Sequence, residues 1–436
     1  MKRRDFLKHS AAATTAGVAA PHILRSAEAR GQETANDRLQ VGCVGLGGMG
    51  RGDARAHSGH ADIVAMCDVD TRQIERAQRE HERVADHYTD YRKVLERDDI
   101  DVVSVVTPDH WHVKIAIEAL LAGKHVFCQK PLTLTLEENK LIRAACEKSD
   151  RTFFIGTQQR SQRELFLTAI AMVKKGLLGD ITKVTCGIGG GSVGGPFPVE
   201  PIPAELDWNM WLGQAPLVDY RPQRCHGTFR WWYEYSGGKF TDWGAHHIDI
   251  AQWAIGEDEL GKGPIEFDGT DAKHPVPYEN GHATVDHSYN SANDYKIKCT
   301  FASGVEMVVD SRSENGILFE GTEGRIFVSR GRLTGKPIED GLHEQVTEED
   351  IVELYKGKPY EGHKNNFYRC IREGGLPVSD VYSHVITMNS CHLCAIAARV
   401  NGVVKWDPKT ETIVDNELAA SLAARTQREG YEIPKV

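Results

Sequence analysis

The stretch Leu39-Gln40-Val41-Gly42-Cys43-Val44-Gly45-Leu46-Gly47-Gly48-Met49-Gly50 decides the fold. Residues 39–44 form a short apolar run that reads as a strand buried on both faces. The next six residues spell G-x-G-x-x-G, and a helical pattern follows. Gly45 permits the tight turn, Gly47 lets a pyrophosphate approach the backbone, and Gly50 allows the helix to pack closely with its N-terminus toward the phosphates. In a chain with 42 glycines the motif alone is weak. It gains meaning from an acidic residue after the next strand, about 20 residues on. Asp68 stands 18 positions after Gly50. A carboxylate there accepts hydrogen bonds from an adenosine ribose and repels a 2'-phosphate, so NAD is favoured over NADP. Arg51 and Arg72 weaken that preference.

Working outward, Ile63 to Cys67, Val102 to Val106 and Val126 to Cys128 are further apolar strand-like runs. Between the last two, His112, Ile115, Ala116, Ala119 and Leu120 recur with helical spacing and Gly123 supplies a stop. Strands alternating with helices imply a parallel sheet covered by helices. Thr107-Pro108 and Gln129-Lys130-Pro131 end their strands on the edge that carries Gly45 and Asp68, where ligands of such sheets gather. An α/β Rossmann domain is therefore expected over 36–157.

After Gly156 the texture changes. A helical stretch around Leu165 to Lys175 precedes a strand at Ile181 to Thr185, a Gly-rich loop and a Trp-rich segment from Trp208 to Trp253. Strand-like runs follow at Ala283 to Tyr289, Tyr295 to Phe301, Val305 to Ser311 and Arg325 to Val328, and helices from Asn365 to Val400. This predicts an α+β domain over 158–436 with a large, mostly antiparallel open sheet. Such a sheet offers a surface to a second copy of the chain, and a homo-oligomer formed through it is expected.

The first residues read as an address. Arg3-Arg4-Asp5-Phe6-Leu7-Lys8 fits the twin-arginine pattern, and an Ala-rich apolar stretch and the A-x-A site Ala27-Glu28-Ala29 follow. Residues 1–29 are expected to be a cleaved signal peptide that delivers the mature protein to the periplasm or beyond. Such substrates are exported folded, so the ten cysteines need not form disulfides; Cys43, Cys67 and Cys128 sit in apolar runs and read as buried thiols. The net charge of -10, with no dense basic stretch after the N-terminus, argues against nucleic acid. No apolar run approaches the roughly 20 residues that span a bilayer.

Thr107-Pro108-Asp109-His110-Trp111-His112, Ala122-Gly123-Lys124-His125-Val126, Lys130-Pro131-Leu132, Gly237-Gly238-Lys239-Phe240-Thr241-Asp242-Trp243-Gly244-Ala245-His246, Asp249 and Gly321-Thr322-Glu323-Gly324 together resemble the Gfo/Idh/MocA oxidoreductases, the family of glucose-fructose oxidoreductase and inositol dehydrogenase. The resemblance runs from Leu39 nearly to the end. It departs at Gln129, where the family's Glu-Lys-Pro has Glu; Gln keeps the hydrogen-bonding groups but loses the charge. The resemblance implies a cofactor site of Gly45, Leu46, Gly47, Gly48, Met49, Gly50, Asp68, Thr107, Pro108, His112, Gln129 and Lys130. It also implies oxidation of a secondary hydroxyl of a sugar or cyclic polyol, with His246 as base, Lys130 bonding the reacting oxygen and Asp242 orienting or stabilising the pair. Asp242 and His246 lie four apart, one face of a helix.

Arg230, Trp231 and Tyr233 are candidates for a substrate wall, since aromatic faces stack on sugar rings and Arg grips hydroxyls or an acidic group. Arg160 is a further candidate at the domain boundary. Cys391-His392-Leu393-Cys394 is half a metal site without a second pair of ligands, and no metal is expected. An exported enzyme meets little free NAD, so a tightly held cofactor is expected. An alternative to net oxidation is an NAD-dependent glycosidase, which oxidises a sugar hydroxyl, eliminates the aglycone and returns the hydride, as some relatives do.

Overall fold

The computed structural model describes residues 38–81 and 85–436. The signal peptide expected over residues 1–29 lies outside the described residues.

The strands β1 (Gln40–Val44), β2 (Asp62–Cys67), β3 (Asp86–Tyr88), β4 (Val102–Val105), β5 (His125–Cys128) and β6 (Phe153–Ile155) form a parallel sheet in the order β3-β2-β1-β4-β5-β6. The order reverses between β1 and β4, so the crevice beyond their C-terminal ends is where a ligand of a doubly wound sheet binds. Sequence patterning locates four of these strands to within a residue. It misses β3 and β6, each three residues long and too short to show a period.

One face of this sheet is closed by the C-terminal half of the chain. Phe367, on the helix His363–Glu373, packs against Phe127 and Phe154 at ring separations of 5.8 and 5.4 Å. The helix Val381–Val400, almost wholly buried, lies against the helix Leu136–Lys148. Cys391 and Cys394 are buried on this helix, and all ten cysteines of the chain are buried free thiols.

The second sheet has the order β15-β14-β13-β7-β12-β11-β8-β16-β17. Its strands are β7 (Ile181–Gly187), β8 (Pro264–Asp268), β11 (Lys296–Phe301), β12 (Glu306–Asp310), β13 (Gly316–Gly321), β14 (Arg325–Val328), β15 (Leu333–Thr334), β16 (Val403–Asp407) and β17 (Thr412–Val414); β9 (Tyr278–Glu279) and β10 (His282–Ala283) pair separately. Every neighbouring pair is antiparallel except β7 with β12. Alternate residues of β11 and β16 are exposed, so one face lies open; Lys183 and Lys298 on the sheet both pair with Glu306. The expected strand Ala283 to Tyr289 is a loop beyond β10. Its backbone bonds the 194–197 loop instead: Phe197 N–H donates to His287 O and Tyr289 N–H to Gly194 O. Among the described residues no helix is long and apolar enough to cross a membrane.

A third element positions the site. Leu206, Trp208, Trp211, Tyr220, Trp232 and Tyr235 form an aromatic cluster of their own, with Trp208 and Trp211 stacked at 4.8 Å. This segment is strapped across the first sheet: Asp207 N–H donates to Val69 O, Thr71 N–H to Glu205 O, and the Trp111 indole to Trp211 O at 3.0 Å.

The junction after β6 is fixed by charge. Arg160 is 1% exposed. Its Nε and Nη2 donate to Asp249 at 2.6 and 2.8 Å, its Nη1 to Val378 O at 3.1 Å, and its guanidinium lies over the Trp253 ring. Burial would raise the Asp249 carboxyl, but Arg160 holds it well below the usual range. Breaking one side of such a pair leaves a buried charge unmatched at a cost of about 3–5 kcal/mol. Arg160→Met is expected to lower the denaturant midpoint accordingly, and Asp249→Asn on that background to recover part of it; an unmoved midpoint would show that the pair does not hold the junction.

Candidate active site

A cleft of about 510 Å³ opens beyond the ends of β1, β2, β4 and β5. Its floor is the glycine turn. Gly45 has φ +85°, and a Cβ there would meet Val106 O at 2.5 Å; a Cβ on Gly50 would stand 1.9 Å from Gly45 O. These two glycines serve the fold. Gly47 and Gly48 have no atom within 4 Å of an added Cβ, so their openness faces the cleft, where Met49 is also exposed. The helix Gly48–Ser58 starts here, and its unpaired N–H groups suit a phosphate.

Asp68 ends β2. It accepts the Leu46 N–H at 2.7 Å and the Asp70 N–H at 2.9 Å. Burial pushes its carboxyl up to about 6 against these bonds. A carboxylate has about four acceptor positions, so two remain for ribose hydroxyls. Arg72 is held by Asp70, both contacts at 2.8 Å, and Arg51 by Glu80 at 2.9 Å. Leu46 contributes only its backbone, its side chain being fully buried.

Thr107, Pro108 and His112 also line the cleft. The His112 ring lies 2.7 Å (Nδ1) from Pro131 O and 2.8 Å (Nε2) from Thr107 O, stapling the ends of β4 and β5. Burial takes it down to about 4 despite the two carbonyls, so the ring is neutral at pH 7 and its single N–H donates to one of the two carbonyls, according to tautomer. The Thr107 hydroxyl is buried without a partner among the described residues. An open glycine cradle, a helix start, an acid at the β2 end and a free hydroxyl fit a dinucleotide.

Gln129 explains its own departure from the family pattern. Its Nε2 donates to Asp53 Oδ2 at 2.5 Å, and Asp53 Oδ1 lies 3.2 Å from Lys364 Nζ. Lys364 reaches on to His57 Nε2 at 2.8 Å, whose Nδ1 faces Tyr368 OH. Burial brings the Lys364 ammonium down to about 8. A glutamate at 129 would confront Asp53 across a buried contact, whereas an amide donates to it.

At the other end of the cleft the Lys130 ammonium donates to both the carbonyl and the carboxylate of Asp242, each at 2.9 Å. Burial would raise Asp242, but Lys130 and Arg230 hold it at about 2. Arg230 lies on the cleft wall, its Nε 3.4 Å from the same carboxylate. His246 is on the helix Gly244–Ala254, 3% exposed and behind the cleft wall. Burial and then Lys130 hold its imidazole far below the usual range, and its Nδ1 has no partner among the described residues. The neighbouring His247 points instead to Asn315 Oδ1 at 3.2 Å.

The other substrate candidates lie elsewhere. Arg160 is buried, consumed by Asp249 and absent from the cleft lining, which corrects the expectation of a substrate contact. Tyr233 OH accepts the Ala292 N–H, with Arg399 over its ring. Trp231 packs by its ring against Lys239, 5.6 Å away. Neither lines the cleft; the 3-10 turn His226–Trp231 presents His226, Gly227, Phe229 and Arg230 to it instead. Unforeseen in the sequence reading is Asp109, a carboxylate lining the cleft beside Lys130 and Arg230.

This fold and cleft define a two-domain protein with a Rossmann-type dinucleotide site. Residues 39–157 match the Gfo/Idh/MocA family's NAD-binding Rossmann fold and residues 172–433 its C-terminal alpha/beta domain; the chain belongs to that family. It is 32% identical over 203 residues to a glycosyl hydrolase family 109 protein of Shewanella sp. (strain W3-18-1) and 31% identical over 203 residues to an alpha-N-acetylgalactosaminidase of Shewanella oneidensis. Each match covers 41% of this chain and 44% of the relative, so the chain spans less than half the length of these curated relatives. The WlbA dehydrogenase of Bordetella pertussis, solved with NADH and UDP-GlcNAcA, superposes with a TM-score of 0.59 at 19% identity over 84% of this chain and 98% of that one.

Gly47→Val is expected to fold with an unchanged melting temperature but to bind nucleotide at least about tenfold more weakly, a loss of about 1.4 kcal/mol, whereas Gly50→Ala is expected to lower the melting temperature itself. Titration calorimetry with thermal melts separates the two. Gln129→Glu places a second carboxylate on Asp53, which raises the folded-state pKa of the new side chain above its unfolded value near ~4.3. Its deficit is therefore small at pH 4 to 5 and grows as pH rises, to about 1–3 kcal/mol at pH 8. Adding Asp53→Asn should remove it; a deficit independent of pH would refute the charge argument.

Proposed function

We propose that this protein oxidises a secondary hydroxyl of a sugar or cyclic polyol with NAD in preference to NADP. The observation that carries the reading is the Lys130 ammonium fixed on Asp242 at 2.9 Å beside Arg230, at the cleft end opposite Asp68. Bound nicotinamide supplies a hydride acceptor. Lys130 then polarises the reacting oxygen and stabilises the charge on it, Asp242 stays ionised at every working pH and aims the ammonium, and neutral His246 takes the hydroxyl proton through its free Nδ1. The occupied guanidinium groups of Arg51 and Arg72, together with Asp68, support NAD over NADP. The aromatic strap over the cleft supports a tightly held cofactor, as does the export route read from residues 1–29.

A second reading, redox-assisted glycoside cleavage, is favoured by the names of the Shewanella relatives and makes N-acetylgalactosaminides the first substrates to test. The open face of the second sheet is the surface we propose for a second copy of the chain.

The test starts from protein as purified. Nucleotide released by denaturation should be NAD by mass spectrometry, and sugars or polyols should reduce it, read at the NADH absorbance band. Lys130→Met should retain nucleotide and lose about 10²–10⁴ in turnover. Normal turnover in that variant, or a chain that neither holds nor takes up nucleotide, would overturn the reading.

A further inference from the structure

Asp109 opens the helix Asp109–Leu121 and lines the cleft, yet is 4% exposed. Its Oδ2 has no hydrogen-bond partner among the described residues, and the Ser236 hydroxyl is the one neutral side chain that favours its ionised form. The charges that bear on it are Arg230, Lys130 and Asp242, with His112 one turn along its own helix and Cys128 on β5. Asp242 shares Lys130 and Arg230, while among the described residues no cation forms an ion pair with Asp109 and its Oδ2 is left open. A buried carboxyl left without a partner is costly in a structural role; in a cleft built for proton transfer it is a usable acid.

We propose that Asp109 is a second proton-carrying catalytic residue of this cleft, giving its proton to the oxygen that departs when a glycoside is cleaved after oxidation of its sugar. The proposal rests on the glycosidase reading above. Hydride transfer alone needs one base, the place given to His246. Elimination needs more. As the glycosidic C–O bond breaks, its electron pair passes to the aglycone oxygen, which takes the Asp109 proton, while the proton lost from the carbon beside the new carbonyl goes to the base, which has by then released the hydroxyl proton to solvent. When water adds across the double bond, its oxygen joins the sugar with one hydrogen, its other proton restores Asp109, and the carbon regains its proton from the base. With the hydride and a solvent proton returned to the carbonyl, the sum is hydrolysis. Burial supports the role by lifting the Asp109 carboxyl to about 7 against Ser236, Arg230 and Lys130, so that it holds a proton near neutrality and can release one.

Asp109→Asn should discriminate by leaving group. With methyl α-N-acetylgalactosaminide, whose departing oxygen needs a proton, cleavage should fall by at least about 10²-fold, and with the para-nitrophenyl glycoside, which departs as a stable anion, by less than about fivefold. Should that variant lose its nucleotide, Asp109→Ala with added formate should recover cleavage of the methyl glycoside alone. A structural role moves both substrates equally. Independently, the unaltered protein should lose thermal stability relative to Asp109→Asn as pH rises from about 4 to about 7, since burial raises the folded-state pKa of the acid. Equal losses on both glycosides, or no loss, overturn the proposal while leaving the glycosidase reading standing. No cleavage of either by the unaltered protein, with sugars still reducing its nucleotide, overturns both.

Discussion

The ammonium of Lys130 is held between the carboxylate and the carbonyl of Asp242, 112 residues further along the chain. Neither sheet alone can satisfy this contact. Lys130 leaves β5 at the edge where the strand order reverses, and Asp242 arrives on a short helix of the second domain, preceded by Gly238 at φ +64°. Closing the pair in a partly buried setting requires the two domains to meet at one distance, and the remaining junction contacts enforce it: Arg160 with Asp249, Lys364 with Asp53, and Trp211 O with the rings of His110 and Trp111. The last two bridge the domains and would strand a partner if the domains parted, while Arg160 and Asp249 fix the second domain just past the junction.

What was legible in the sequence follows from range. The turn from Gly45 to Gly50 and the acid at Asp68 are local, and strand, turn and helix are written into 30 residues. Lys130, Asp242 and His246 came together only through family resemblance, since no periodicity connects positions a hundred residues apart. Arg160 shows the opposite failure: an arginine in a polar segment reads as exposed, and nothing local reveals a carboxylate 89 residues on that draws it into the core. Asp109 was in a quoted motif and still escaped notice, because an acid at a helix start is ordinarily a stabilising charge; its unpartnered oxygen is visible only in three dimensions. Lys364 carries no sequence signal at all.

The same logic accounts for Gln129. Read alone, losing the family's charge beside Lys130 looks like a lost function. In the folded chain the negative charge stands one residue deeper, on Asp53, balanced by Lys364 from the far end of the chain. The amide is the side chain that can donate to that carboxylate, and the carboxylate that faces Lys130 is Asp242. Charge has been redistributed across the domain junction while the shape of the strand end is kept.

A consequence for the chemistry is that the cleft holds Lys130 and Arg230 against one carboxylate kept ionised, Asp242, and one that titrates, Asp109. When Asp109 carries a proton, positive charge is in excess beside the reacting oxygen, the condition that stabilises an alkoxide or an enolate. When it has given the proton away, the cleft returns to balance. Loss of a proton by Asp109 and dissipation of negative charge on the substrate are thus coupled by the same two cations, in a space where low polarity makes each charge count for several times its value in water.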